Sequence, residues 1–193
     1  MTSRPITMDE YKLIVQTIYE GGCGFRANPT IALLCQMQSS CGLRINDCLR
    51  VRLKDIYKSE DGQNHYRIKI KEQKTGKWRD TIFYADLYFK LSEYCIEHGR
   101  KKDEPIFNLT SRAVSKYLKK VTEYLDLDGV GTHSFRKLYA TEIFKNSDLL
   151  TVSMALMHSN INTTVRYLAK NPRLDSVLEE CGSKLLNIEV KNK

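Results

Sequence analysis

Polar and apolar positions recur along most of this chain with the spacing of helices. Thr7-Met8-Asp9-Glu10 has the form of a capping box, Thr at the N-cap and Glu three residues on. The helix it opens is predicted to run to about Glu20, with Leu13, Ile14, Thr17 and Ile18 on one face, and to stop at Gly21-Gly22. Asn28-Pro29 is a second start, a cap and then proline at the first helical position. That helix carries Ile31, Leu34, Cys35 and Gln38 to a stop near Cys41-Gly42. A short helix is expected from Arg44 to Arg50, with Ile45, Cys48 and Leu49 inward and Asp47 on the same side as Arg44. Val51 to Ile56 is expected to leave it as a loop.

The middle of the chain carries the clear period-two signal. Tyr66 to Lys71 alternates polar and apolar, and Trp78 to Tyr84 reads as a second strand. The Lys74-Thr75-Gly76-Lys77 segment joins them, which puts Lys74 at the start of a hairpin tip. Helical spacing then returns. Asp86 is expected to cap a segment with Leu87, Leu91, Tyr94 and Cys95 on one side, and Thr110 or Ser111 one with Val114, Tyr117, Leu118 and Val121. Thr132 precedes a helix with His133, Arg136, Tyr139, Ala140 and Ile143. A short helix near 149–156 ends at Met157-His158, Asn162 caps a segment carrying Tyr167, and Leu174, Val177, Leu178 and Leu185 mark a last amphipathic helix. The fold class this predicts is mainly α with a small antiparallel β-hairpin insert (α+β), in one domain.

Charge narrows the partner. Lys and Arg total 31 against 23 Asp and Glu, a formal charge of +8, which suits a polyanion. The six cysteines form no Cys-x-x-Cys pair, so no zinc site is expected. No apolar run approaches the ~18 residues of a membrane span, and the N-terminus lacks the apolar core of a signal peptide. The expectation is a cytoplasmic protein with reduced thiols, no membrane contact and no cofactor.

The candidate chemistry is phosphoryl transfer. Such a reaction needs charge compensation on non-bridging oxygens and alignment of a nucleophile. Arg44 and Arg136 offer flat forks of permanent charge for those oxygens. Tyr167 is the candidate nucleophile; a free phenol has a pKa near 10, so it needs a neighbouring base or a positive field. Lys74 can supply a proton to the leaving oxygen, His133 lies near the arginines, and His158 can hold a non-bridging oxygen or move protons. Singly, each is more often a surface or core residue; the joint pattern carries the specificity.

That joint pattern resembles the catalytic domain of the tyrosine recombinases, or phage-type integrases. Cys41-Gly42-Leu43-Arg44-Ile45-Asn46-Asp47 is similar to the family's first arginine box, with an acidic residue three positions on. Lys74-Thr75-Gly76-Lys77 is similar to its hairpin lysine, and His133-Ser134-Phe135-Arg136 matches its His-x-x-Arg box. His158 stands where the family has His or Trp, and Tyr167 follows nine positions later, after Thr163-Thr164. Met157 stands where the family usually has Gly, which predicts a looser local turn.

The resemblance implies a catalytic set of Arg44, Lys74, His133, Arg136, His158 and Tyr167, supported by Asp47, with the tyrosine forming a 3′-phosphotyrosyl bond and no metal or ATP. It implies double-stranded DNA as partner and a homo-tetramer on DNA, with 174–186 as a segment donated to a neighbour. The chain is expected to be a single catalytic domain over 1–193, without the family's N-terminal core-binding domain, either as a fragment or as a single-domain member. Alternatives are type IB topoisomerase-like relaxation, or a DNA-binding regulator without chemistry. DNA contacts are expected from Arg50, Arg52, Lys54, Lys69, Lys71, Lys116, Lys119 and Lys120. If these reach phosphates, filter-binding affinity for duplex DNA falls steeply between about 50 and 200 mM salt, by roughly 10³-fold for six contacts; a flat response rejects them.

Overall fold

The computed structural model describes residues 3–60, 63–157 and 162. Among these residues the order is α1 (Met8–Glu20), α2 (Pro29–Cys41), α3 (Ile45–Cys48), a 3₁₀ turn at Leu53–Asp55, β1 (Ile56–Lys58), β2 (His65–Lys71), β3 (Trp78–Tyr84), α4 (Ala85–Glu97), α5 (Ser111–Tyr124), α6 (Thr132–Lys145) and α7 (Leu149–Leu156). The predicted class, mainly helical with a small antiparallel sheet, is the observed one.

Helix α2 is the spine of the domain. Its sequence is apolar on nearly every side, and Ile31, Ala32, Leu33, Leu34, Cys35, Met37 and Gln38 are all buried, as expected of a helix wrapped by others. It packs against α1, α3, α4, α6 and β3. Asn28 caps its start by accepting from the Ile31 amide, and Gly42 ends it in the left-handed conformation, φ 61° and ψ 21°. Gly42 answers two constraints. Its φ suits glycine, and a Cβ there would lie 2.2 Å from the Tyr139 ring of α6. The start of the first arginine box is therefore a close helix crossing.

The sheet is a meander in the order β1-β2-β3. Its inner face sends Ile68, Ile70 and Phe83 into the core, and Tyr66 stacks on Tyr88 of α4. Helices α5 and α6 close the core with Val114, Leu118, Val121 and Phe135. Helix α7 packs on α6 through Ala140, Val152 and Leu156. Among the described residues no helix is long and apolar enough to cross a membrane.

Several local expectations are corrected. Residues 51–56 are not a plain loop; they form the 3₁₀ turn and enter β1, whose three residues are too few for periodicity to show. The short helix is Ile45–Cys48 rather than Arg44 to Arg50. Leu13 is 49% exposed, because the buried stripe of α1 turns toward Val15. Tyr84, not Asp86, is the N-cap of α4, with no side-chain bond. Of the two caps expected for α5, Thr110 is the one used, as expected. Gly131 is the N-cap of α6, and its amide donates to Ser134 Oγ at 3.1 Å. Met157 completes a left-handed turn without glycine, at φ 52°, its amide donating to the Met154 carbonyl. The segment of Asn162 that carries Tyr167 and the last amphipathic helix lie outside the described residues, although Asn162 itself is helical.

Replacing Gly42 by Ala is expected to destabilise the domain by roughly 1–2 kcal/mol from the left-handed backbone, plus about 1–3 kcal/mol from overpacking against Tyr139. Chemical denaturation compared with a Gly76→Ala control, which has the same sign of φ but open space at its Cβ, separates the two contributions.

Candidate active site

The site is assembled where α2 ends, α6 begins, α7 ends and the β2–β3 tip folds over. Arg136, one turn into α6 after His133, is 0% exposed. Its Nη1 donates to the Gly42 carbonyl at 2.5 Å and its Nη2 to the Leu156 carbonyl at 2.8 Å. Those acceptors are carbonyls left over at two helix ends, which need donors from elsewhere. A single guanidinium thus joins the first arginine box, the His-x-x-Arg box and the turn that leads into His158. Arg136 was expected as a phosphate clamp; in this structure its Nη1 and Nη2 each make one bond to a backbone carbonyl.

Arg44 follows Gly42 by two residues and is half-buried. Its Nη1 pairs with Glu72 Oε2 at 2.7 Å. Asp47, expected as a supporting residue of the site, is buried, and its Oδ1 accepts from the Gln73 amide at 2.9 Å. Asp47 therefore supports the hairpin tip rather than Arg44. Lys74 is exposed on that tip. Its backbone is held, since the Gly76 amide donates to the Glu72 carbonyl and the Glu72 amide to the Lys77 carbonyl.

His133 reports how these groups converge. Its pKa lies below the ordinary 6.5, first because protein crowds the ring and then because of the charges of Arg136, Arg44, Lys137 and Lys74. Groups far apart in sequence thus share one electrostatic environment. Charged neighbours include Arg44, Lys74, Arg79, Arg136 and Lys137 against Glu72 and Asp47, five positive and two negative. The excess suits an anion such as a phosphodiester.

Sequence reasoning missed Glu72 and Arg79. Glu72 also accepts from the Thr75 hydroxyl at 2.8 Å, and Arg79, fully buried, lies 3.5 Å from it and donates to the Cys41 carbonyl at 2.8 Å. The signal was present: continuing the inward positions 68 and 70 one step gives 72, and Arg79 alternates with inward Thr81 and Phe83. Two opposite charges at inward strand positions mark a buried pair. His158 and Tyr167 lie outside the described residues. Among the described residues, no group of three or more His, Cys, Asp and Glu could hold a metal. Buried Cys41 has its thiol pushed up to about 12, far from a reactive thiolate.

The DNA-contact candidates differ in their surroundings. Arg52 makes a two-pronged pair with Asp55, both bonds at 3.0 Å, so much of its donor set is committed. Arg50 lies 4.0 Å from Asp47, Lys119 pairs with Glu123 at 3.6 Å, and Lys120 donates to the Gly24 carbonyl at 3.2 Å. Lys54, Lys69, Lys71 and Lys116 are exposed.

Comparison with known proteins now decides the family: residues 4–173 match the model of the Phage integrase family. The chain belongs to that family. A probable integrase/recombinase of Acholeplasma phage L2 is 27% identical over 139 residues, covering 68% of this chain and 46% of the relative. The chain therefore spans about half the length of that curated protein. Among solved structures, the XerH site-specific recombinase bound to its palindromic difH substrate superposes with a TM-score of 0.72 at 23% identity, over 95% of this chain and 53% of XerH. The catalytic domain of bacteriophage HP1 integrase gives 0.65 at 18% identity, over 92% of this chain and 94% of that domain. The fold is thus that of integrase-family catalytic domains.

Two outcomes follow from the position of His133. Its NMR titration midpoint is expected below 6.5, and to move upward in Arg44→Gln, which removes a repelling charge. The unfolded chain then binds a proton that the folded chain refuses in the window just below 6.5. This contribution to stability is complete above that pH and declines as pH falls through the window. His133→Gln flattens that part of the denaturation-against-pH curve.

Proposed function

We propose that this chain is the catalytic domain of a site-specific DNA recombinase, breaking and rejoining a strand through Tyr167. The observation that carries the reading is that Arg44, the tip that bears Lys74, and Arg136 are tied together through Glu72, Asp47 and the Gly42 carbonyl, in a family whose boxes the chain matches in order. Arg44 is half-buried, with its Nη1 paired to Glu72. Arg136 adds charge from beneath it.

In the reaction, the Tyr167 oxygen attacks phosphorus as its phenolic proton departs. His133, held neutral, is available to accept a proton or a hydrogen bond, and the field that depresses its pKa also favours the phenolate. The new P–O bond to tyrosine forms as the P–O5′ bond breaks, and Lys74 delivers a proton to the leaving 5′ oxygen. One phosphate ester replaces another, so bond energy is kept and the reverse attack by a 5′ hydroxyl reseals a strand. Losing a transition-state donor of this type costs about 2.7–4 kcal/mol, and Arg44→Ala is expected to slow cleavage by roughly 10²–10³-fold.

Double-stranded DNA is the proposed partner, with a tetramer assembled on two sites and the 174–186 segment joining neighbours. His158 is proposed to sit against the scissile phosphate, following Met157, whose preceding carbonyl at Leu156 is fixed by Arg136. The test is covalent trapping. The protein and its Tyr167→Phe variant are incubated with fragmented genomic DNA, denatured, and the protein-linked DNA is sequenced. The expected result is an adduct at a discrete site with the native tyrosine alone. Retained DNA binding with no adduct for either protein supports a regulator instead.

A further inference from the structure

A buried carboxylate with no place in that reaction lies at the contact between Arg44 and the loop that carries Lys74. Glu72 has a fully enclosed side chain. One oxygen, Oε2, receives both Arg44 Nη1 at 2.7 Å and the Thr75 hydroxyl at 2.8 Å. The other, Oε1, faces Arg79 Nη1 at 3.5 Å, and Arg79 is fastened to the Cys41 carbonyl at the end of α2. On the other side of Lys74, the Gln73 amide is held by Asp47. The residues flanking Lys74 are therefore both tied to carboxylates, and one of these carboxylates also holds Arg44.

We propose that Glu72 is a positioning residue, which sets the distance between the Arg44 guanidinium and the backbone from which Lys74 reaches, so that both address one phosphate. This rests on the recombinase reading for its functional consequence. A carboxylate is needed because its one oxygen must attract a guanidinium and a hydroxyl together, with a second guanidinium behind it. Burial pushes its pKa up, but the Thr75 hydroxyl and the charges of Arg44 and Arg136 outweigh that and hold it below the ordinary value. Exposed Lys74 keeps its reach, and its point of attachment is fixed. The arrangement differs from an ordinary surface ion pair, which contributes little, because both acceptor and backing arginine are removed from water.

Two measurements on the full chain test this. The first needs no DNA. His133 is titrated by NMR in the native protein, in Lys74→Ala and in Thr75→Val, which removes the tip hydrogen bond and leaves Glu72 facing Arg79. Thr75→Val is expected to raise the His133 midpoint in the same direction as Lys74→Ala; a folded Thr75→Val protein with an unchanged midpoint overturns the proposal. The second uses the duplex recovered by trapping, with either oxygen or sulfur at the bridging 5′ position. Glu72→Gln is expected to bind DNA within about twofold of native while forming adduct about 10²-fold more slowly, the scale of a displacement near 1 Å. A thiol leaves without a donated proton, so sulfur is expected to restore Lys74→Ala, to restore Glu72→Gln in the share that comes through Lys74, and not to restore Arg44→Ala. Loss of binding, or a deficit that sulfur leaves intact, overturns it. If Glu72→Gln does not fold, Thr75→Val takes its place in the second measurement. If the native chain forms no adduct at all, the recombinase reading fails, and the first measurement still decides whether the Thr75–Glu72 link holds the tip.

Discussion

A permanently charged guanidinium sits at the bottom of this domain, out of contact with water, and the described site depends on where it donates. Burying an unpaired ion costs several kcal/mol, so Arg136 must find acceptors. It finds them in the carbonyls of Gly42 and Leu156, which helix termination leaves over on two other segments. The bond pattern works in both directions. Arg136 is held by the ends of α2 and α7, and those ends are held by Arg136. Arg44 lies two residues beyond one of these acceptors, and His158 two residues beyond the other.

Above this anchor the charges are arranged so that no one carboxylate cancels them. Glu72 is shared between Arg44 and Arg79, and Asp47 is turned to the Gln73 backbone. Burial of the ring first, and then the excess positive field, lower His133, and that field would act equally on a phenol or a phosphate brought beside it. The buried ion pairs are poor evidence for stability by themselves. Their value is geometric: they fix Arg44 and the hairpin tip relative to α2, most of whose residues are locked into the core.

The outer side of the sheet is organised on another basis. Tyr57 and Arg67 both bond to Asp80, at 2.6 and 2.8 Å, while Lys69 and Lys71 remain exposed on the same strand. The same separation holds on α5, whose apolar stripe faces the core while Lys119 pairs with Glu123 along the helix and Lys120 donates to the Gly24 carbonyl. Formal charge alone therefore overstates the number of cations available to a polyanion. Arg52, committed to Asp55, is the clearest case.

Helix starts at Thr7, Asn28 and Thr110, stops at Gly21 and Gly42, the two strands of the hairpin and the order of the boxes were all readable from the chain. Each depends on a side chain and a neighbour within a few residues, and capping, turn geometry and period two are local by nature. The three-residue β1 was not readable, because it exists only by pairing with β2. Nor was the identity of Arg44's carboxylate: Asp47 is the near one in sequence, and Glu72, 28 residues away, is the one in contact. That choice, like the burial of Arg136 against Gly42 and Leu156, follows from how α2, α6, α7 and the hairpin pack. The sequence determined which groups of the site exist and on which elements they ride. Only the tertiary structure decided which partners neutralise them, because the cost of removing charge from water depends on what the fold places opposite each one.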